Sequence, residues 1–328
     1  MHQIIITDFL TGPPDTETGI LGDIAQITTL GSESESDLAG KIEHADAIVL
    51  YHLISLGADT IRSLKNCKLI VRGGVGTDNV DLHAAQAAGI PVANVPDYGT
   101  EEVADTALAM ALSLARGTHL LNSRLRRAHG DWSHTQAIPV PRLRGRTFGI
   151  VGCGRIGTAT ALRAKAFGFD VVFHDPYLPD GTEKAIGVRR TNTLDELLHQ
   201  SHILSLHCPL SPETHHLINS KTLASLPRGA ILINTARGAI VDTSAIPPLL
   251  ESNHLAGAGI DVLEKEPPPP GHPLVTAWRN PAHPAHDRLI LNPHAAFYSD
   301  QGLDEIRTKS AHNIRQTLLG NAPRNLVT

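Results

Sequence analysis

The sequence predicts an α/β fold, and three observations carry that prediction. Short continuous apolar runs alternate with helix-like segments along almost the whole chain, the pattern of parallel strands covered on both faces. One apolar run ends in a glycine-rich turn that opens straight into a helical pattern. A segment too long for an ordinary crossover, 100–130, breaks the alternation and divides the chain into two α/β units.

Taken in order, strands are expected at 4–7, 47–51, 69–71 and 91–94, then at 147–152, 170–175, 202–207, 230–234, 255–261 and 289–292. Helices are expected at 57–65, 81–88, 155–167, 194–200 and 242–250, with a last one near 300–319. The stretch 100–130 reads as one long helix: Thr100 can cap it, Glu101 and Glu102 occupy the first turn, and Arg124, Arg126 and Arg127 close it. That charge order suits the helix dipole. The polar, proline-bearing residues after it read as a linking loop, and the four prolines at 267–270 as a rigid one. There is no internal repeat.

With 328 residues, 41% of them hydrophobic, the chain is long enough for two ordinary cores. A net charge of −5 with scattered basic residues gives no sign of a nucleic-acid partner. The start, "MHQIIITDFL", lacks the features of a signal peptide, and the most apolar stretch, 107–115, is far short of the roughly 18 residues of a membrane span. Three cysteines without ligand spacing suit a reducing cytoplasm, and no metal site is expected.

The most specific local signal is "TFGIVGCGRIG". A strand runs into Gly152, Gly154 and Gly157, and a helix follows at once. The first glycine allows a tight turn, the second lets backbone approach a pyrophosphate, and the third lets helix and strand pack closely. The anion then rests on the helix N-terminus. A second strand ends at Asp175, where a carboxylate can take a ribose 2′-hydroxyl. Dinucleotide binding follows, with NAD preferred because that carboxylate repels a 2′-phosphate.

Three further ionisable residues stand at or just beyond the ends of later strands, where a doubly wound sheet binds ligands. Arg237 follows "AILINTA", Glu266 follows "GAGIDVLEK" and His294 follows "LILNP". Reduction of a ketone by a nicotinamide needs a proton donor, and a histidine can supply one near neutral pH. A neighbouring glutamate would fix its tautomer and favour its charged form. A bidentate arginine would hold a substrate carboxylate and polarise the adjacent carbonyl.

These residues and their surroundings resemble the D-2-hydroxyacid dehydrogenase family. The resemblance runs from about residue 45 through "VRGGVGTDNVD", "LRGRTFGIVGCGRIG", "LINTARGAIVD" and "GIDVLEKEPP" to "LILNPHAAF". It implies catalytic roles for Arg237, Glu266 and His294. It implies substrate-carboxylate contacts from Gly74, Val75 and Gly76. Its cofactor contacts fall on Thr106, Arg155, Ile156, Asp175, Cys208, Pro209, Thr214, Ala236 and Asp261. Arg72 and Phe297 are similar to the C-terminal-binding-protein branch and become further substrate contacts. The segment around 271–287 departs from the family's pattern and is expected to be a loop near the cleft.

The resemblance also implies the architecture. Residues 1–100 with 298–328 should form a flavodoxin-like substrate-binding domain, and 101–297 an NAD-binding Rossmann domain, with a cleft between them and a homodimer through the NAD domain. The expected activity is NAD(H)-dependent reduction of a small 2-keto acid such as glyoxylate, hydroxypyruvate or pyruvate. The alternatives are an NAD(H)-sensing corepressor-like scaffold, against which the lack of a docking tail counts, and a phosphite-oxidising relative.

Overall fold

A computed structural model describes residues 1–10 and 12–327. The chain divides into two compact units, Met1–Gly99 with Tyr298–Thr328, and Thr100–Phe297. Among the described residues no helix is long and apolar enough to cross a membrane.

The first unit is built on β1 (His2–Ile6), β2 (Ala25–Thr29), β3 (Ala47–Leu50), β4 (Leu69–Arg72) and β5 (Val92–Asn94). They form one parallel sheet in the order β2-β1-β3-β4-β5, the doubly wound order of flavodoxin-like folds. Ile48 and Ile70 of the central strands are fully buried and pack in one cluster with Leu38, Ile61 and Ala85. On the helix Asp300–Leu318, the Arg307 guanidinium makes two hydrogen bonds to Glu17, at 2.9 and 2.6 Å.

The second unit holds β6 (Thr147–Val151), β7 (Asp170–His174), β8 (Arg189–Arg190), β9 (Ile203–Leu206), β10 (Ala230–Asn234), β11 (Leu255–Ile260) and β12 (Leu289–Leu291). Their order, β12-β11-β10-β9-β6-β7-β8, is again parallel throughout. It is the Rossmann order extended by one strand. One apolar cluster joins Phe148, Ile150 and Phe173 to Ala107, Met110 and Ala111 of the helix Thr100–Arg116. A second joins Leu204, Leu232 and Ile260 to Leu197, Leu223 and Leu250. Alternate residues of each strand thus bury both faces, which explains the unbroken apolar runs.

Three expectations are corrected. The segment 100–130 is two helices, Thr100–Arg116 and Thr118–Arg126, because Gly117 takes a left-handed conformation (φ 66°) between them. The segment 242–250 is a short 3-10 turn followed by the helix Ile246–Glu251. The segment 271–287 is largely helical rather than a loop: Pro273–Arg279 and Ala285–Arg288 are helices, and Leu274, Val275 and Ala285 enter the core. Pro273 sits in the first turn, where its missing N–H costs nothing. Asp287 is held by Arg124 and Arg127, at 2.8 and 3.0 Å.

Candidate active site

Strand register decides which residues meet. Val151, Leu206 and Asn234 stand in line across β6, β9 and β10, and Asn234, Ile260 and Leu291 continue the line across β11 and β12. The residues that follow each strand therefore emerge along one carboxyl edge. Gly152, Cys208, Arg237, Asp261, Glu266 and His294 lie after these strands in the chain, and Asp175 follows β7, whose His174 pairs with Val151.

At β6 the glycines behave as their spacing predicts. Gly152 has φ 84°, and a Cβ there would lie 2.6 Å from the Cys208 nitrogen. A Cβ on Gly157 would lie 2.1 Å from the Gly152 oxygen, so only glycine lets the helix Arg155–Ala166 press onto the turn. Gly154 is different: it is exposed, and a Cβ would meet nothing within 4 Å. Open space beside the first turn of a helix, where Arg155 and Ile156 sit, is what an approaching pyrophosphate requires.

Asp175 accepts hydrogen bonds from the backbone N–H groups of Cys153, at 2.9 Å, and Tyr177, at 3.0 Å. Its carboxylate is thus fixed at the end of β7 beside the glycine turn. Arg190 supports the same loop, donating to the carbonyls of Asp175 at 2.6 Å and Leu178 at 3.0 Å. Arg189 turns away to Asp170, at 2.6 Å. The Tyr177 hydroxyl donates to Glu213 and so joins this loop to the segment containing Pro209 and Thr214. Thr214 in turn donates to the Pro209 carbonyl at 2.7 Å. Burial pushes the thiols of Cys153 and Cys208 up to about 11, so both stay protonated near neutral pH and act as small apolar groups.

The Arg237 turn is tied to the end of β10. Asn234 ties it from within, its side chain donating to the Arg237 carbonyl at 2.9 Å and accepting from Ala236 N–H at 3.1 Å. A Cβ on Gly238 would lie 1.9 Å from the Leu263 carbonyl carbon, so glycine lets this turn lie flat on the Leu263–Glu264 peptide. The arginine is thereby anchored to the segment that leads to Glu266.

Glu266 and His294 are brought into direct contact. Nδ1 of His294 lies 2.7 Å from Oε2 of Glu266, and the other carboxylate oxygen accepts Leu263 N–H at 2.7 Å. A carboxylate beside Nδ1 favours the tautomer that carries its proton there. His294 has a left-handed backbone, φ 53°, held by its N–H to the Asp261 carbonyl at 2.7 Å. The buried Asp261 carboxylate accepts from the N–H groups of Ala295 and Ala296, each at 3.0 Å. Burial holds the Asp261 carboxyl above its usual range, and those two N–H bonds oppose the rise. Thr106 donates to the Ala296 carbonyl at 3.4 Å, and the Phe297 ring stands edge-on to His294 at 6.1 Å.

The remaining expected residues lie in the first unit. Arg72 ends β4 and is buried, with Nε 3.4 Å from Asn79 Oδ1. Gly74 has φ 149°, and a Cβ there would collide with the Arg72 guanidinium at 1.5 Å. The Val75 carbonyl accepts from Asn94 at 2.7 Å, which fixes the turn leading to Gly76. Tyr177 and Glu213 carried no signal in the sequence, whereas Arg190 stands on β8, where a basic side chain can fold back onto the Asp175 loop.

Residues 108–296 match the family model of the D-isomer specific 2-hydroxyacid dehydrogenase, NAD binding domain. The chain is 33% identical over 317 residues to C-terminal-binding protein 1 of Caenorhabditis elegans, covering 94% of this chain and 42% of that one. It is 32% identical over 327 residues to D-3-phosphoglycerate dehydrogenase of Methanocaldococcus jannaschii, covering 100% of this chain and 59% of that one. Among solved structures, a D-lactate dehydrogenase from Aquifex aeolicus complexed with NAD and lactic acid superposes with a TM-score of 0.88 at 27% identity, over 99% of this chain and 98% of that one.

Proposed function

Because the chain belongs to the D-isomer specific 2-hydroxyacid dehydrogenase family, we propose that it is an NAD(H)-dependent oxidoreductase interconverting a small 2-keto acid and the corresponding D-2-hydroxy acid. The observation that carries this reading is the 2.7 Å contact between His294 and Glu266 on a sheet edge shared with an NAD-binding turn. The glycine turn, the open side of Gly154 and the fixed Asp175 carboxylate fit the cofactor.

When bound, NADH supplies a hydride to the carbonyl carbon. This chain's residues do the rest. His294 delivers a proton to the oxygen that becomes the hydroxyl, and Glu266 orients the ring and stabilises its charged form. Arg237 grips the carboxylate and polarises the neighbouring carbonyl. Arg72 and the backbone of Gly74, Val75 and Gly76 are the proposed anion contacts of the first unit, and Phe297 an apolar contact of the second. Gly152, Gly154, Arg155, Ile156, Gly157, Asp175, Thr106, Cys208, Pro209, Thr214, Ala236 and Asp261 are the proposed cofactor contacts.

Glyoxylate, hydroxypyruvate and pyruvate are the proposed substrates. We also propose a homodimer formed through the second unit, in a cytoplasmic setting. The exposed side chains of Trp132, at 89%, and Ile138, at 62%, support such a contact. The test is turnover of NADH over a panel of 2-keto acids, with phosphite and NAD+ as a separate arm. Reduction of at least one keto acid is expected. NADH binding without turnover of any member would instead favour a dinucleotide-sensing scaffold, and phosphite oxidation alone would favour the third reading.

A further inference from the structure

Among the described residues, three side chains able to ligate a metal converge in one group: His215, His216 and Glu264. They come from two segments of the second unit, one following β9 and one following β11. Nε2 of His215 and Nε2 of His216 approach the same carboxylate oxygen, Glu264 Oε1, at 3.9 and 3.6 Å. The donor atoms of all three residues lie within 4.8 Å of one another.

Those separations are too long for hydrogen bonds. They do fit a shared ion. With bonds of roughly 2.0–2.2 Å, two ligand atoms on one zinc-class cation lie about 3.4 Å apart in a tetrahedron and at most about 4.4 Å apart in any geometry. The donor atoms therefore need a rotation of one imidazole to reach a common ion.

The state of His216 supports the same conclusion. Its Nε2 is sealed from solvent and has no hydrogen-bond partner among the described residues, a condition that buried polar atoms avoid. Its backbone is left-handed, φ 48°, and is pinned on both sides. The N–H donates to the Ala239 carbonyl at 2.8 Å, and the carbonyl accepts from the Asn219 side chain at 2.9 Å. The two imidazoles stack with centroids 4.2 Å apart and 26° between planes, so one ring turns out of the stack for both in-plane lone pairs to meet at one ion. The His216 backbone is held before any ion arrives.

We propose that His215, His216 and Glu264 form a binding site for one divalent transition-metal ion of the zinc class. Two imidazoles and one carboxylate suit Zn2+, Co2+ or Ni2+, whereas Mg2+ and Ca2+ favour sets of oxygen ligands. Three protein ligands leave a position for water. The ion ties the segment carrying Thr214 to the segment carrying Glu266, so it braces the second unit at the sheet edge already described.

The experiment uses the full chain, freed of metal with a chelator. Zn2+ is titrated in competition with a chromogenic chelator, and Co2+ is followed by its ligand-field absorption. The wild type should take up one tight equivalent. His216→Ala and Glu264→Gln should each weaken it by at least the roughly 10–100-fold that loss of even an outer-shell partner costs. His199→Ala, at an exposed histidine beside Asp195, should change nothing. Circular dichroism of each metal-free variant checks folding. Zn2+ uptake by both cluster variants with wild-type stoichiometry and affinity would overturn the site, as would a wild type that takes up no tight equivalent.

Discussion

Glu266→Gln isolates what the carboxylate does for His294. Glutamine keeps the shape and removes the charge. It also has one acceptor oxygen where Glu266 uses two, one for Leu263 N–H and one for His294 Nδ1. If the amide oxygen stays on Leu263, the amide NH2 faces the ring and opposes a proton on Nδ1. If it turns to the ring, the charge is still gone. Both orientations make protonation of His294 harder. The side chains are 23% and 33% exposed, so the local medium lies between water and protein interior. Unit charges about 4 Å apart interact by about 1 kcal/mol in water and about 4 kcal/mol at an effective dielectric of about 20. At about 1.4 kcal/mol per pH unit, that range corresponds to a displacement of roughly one to two units, with up to about three as the limit. Reduction requires a protonated ring, and the protonated fraction falls as pH rises. The alkaline limb of kcat/KM for keto-acid reduction should therefore move to lower pH by about one to two units. A limb that stays in place or moves upward would refute the pairing.

Other outcomes follow from the same geometry. Arg237→Lys should lower kcat/KM by about 100-fold or more, because a point charge cannot replace a planar fork; steady-state kinetics within a few-fold of wild type would exclude the gripping role. Gly157→Ala places a Cβ 2.1 Å from the Gly152 oxygen and should cost about 1–3 kcal/mol of stability by overpacking. Gly154→Ala, with open space around it, should melt like wild type yet bind NADH more weakly, and thermal melts with NADH titrations separate the two. Asp175→Ala should shift the ratio of kcat/KM for NADH over NADPH toward NADPH by roughly tenfold, the worth of about 1.4 kcal/mol. Burial lowers His207 from 6.5 to about 3. The unfolded chain therefore binds the extra proton between these values, so this contribution to stability is full above 6.5 and is lost as pH falls through the window. His207→Gln should lose less melting temperature than wild type between pH 6.5 and pH 3; parallel curves would show that the ring does not titrate on unfolding.

Much of the candidate site is legible in the sequence because it rests on backbone demands that leave few residue choices. The spacing Gly152, Gly154, Gly157 and the acid at Asp175 specify one turn and the strand that follows it. Arg237, Glu266 and His294 are each announced by the strand before them. What escaped was set by tertiary context. β2 is only partly buried and β8 is two arginines long, so neither carries an apolar run. The break at Gly117 is hidden because helix-forming residues continue on both sides, and a single glycine costs a helix only about 1 kcal/mol. Pro273 reads as a loop residue until its place in a first turn is known. His215 and His216 meet Glu264 only once β9 and β11 lie in one sheet, and an adjacent histidine pair on its own announces nothing.

The segment 267–293 leaves the sheet edge at Glu266 and returns at His294, and those two side chains touch at 2.7 Å. Both of its anchor points are fastened to the end of β11, through Leu263 N–H and through Asp261. The segment is therefore an excursion with a clamped mouth, and its interior is built into the unit through Leu274, Val275, Ala285 and β12. Its opening stretch, 267–271, is largely exposed and enters neither the core nor the sheet. Lengthening that stretch twofold costs only about 0.6 kcal/mol in closure entropy. Residues 267–271 are thus a port for grafting a foreign segment, while Glu266 and His294 keep their own ties to the end of β11.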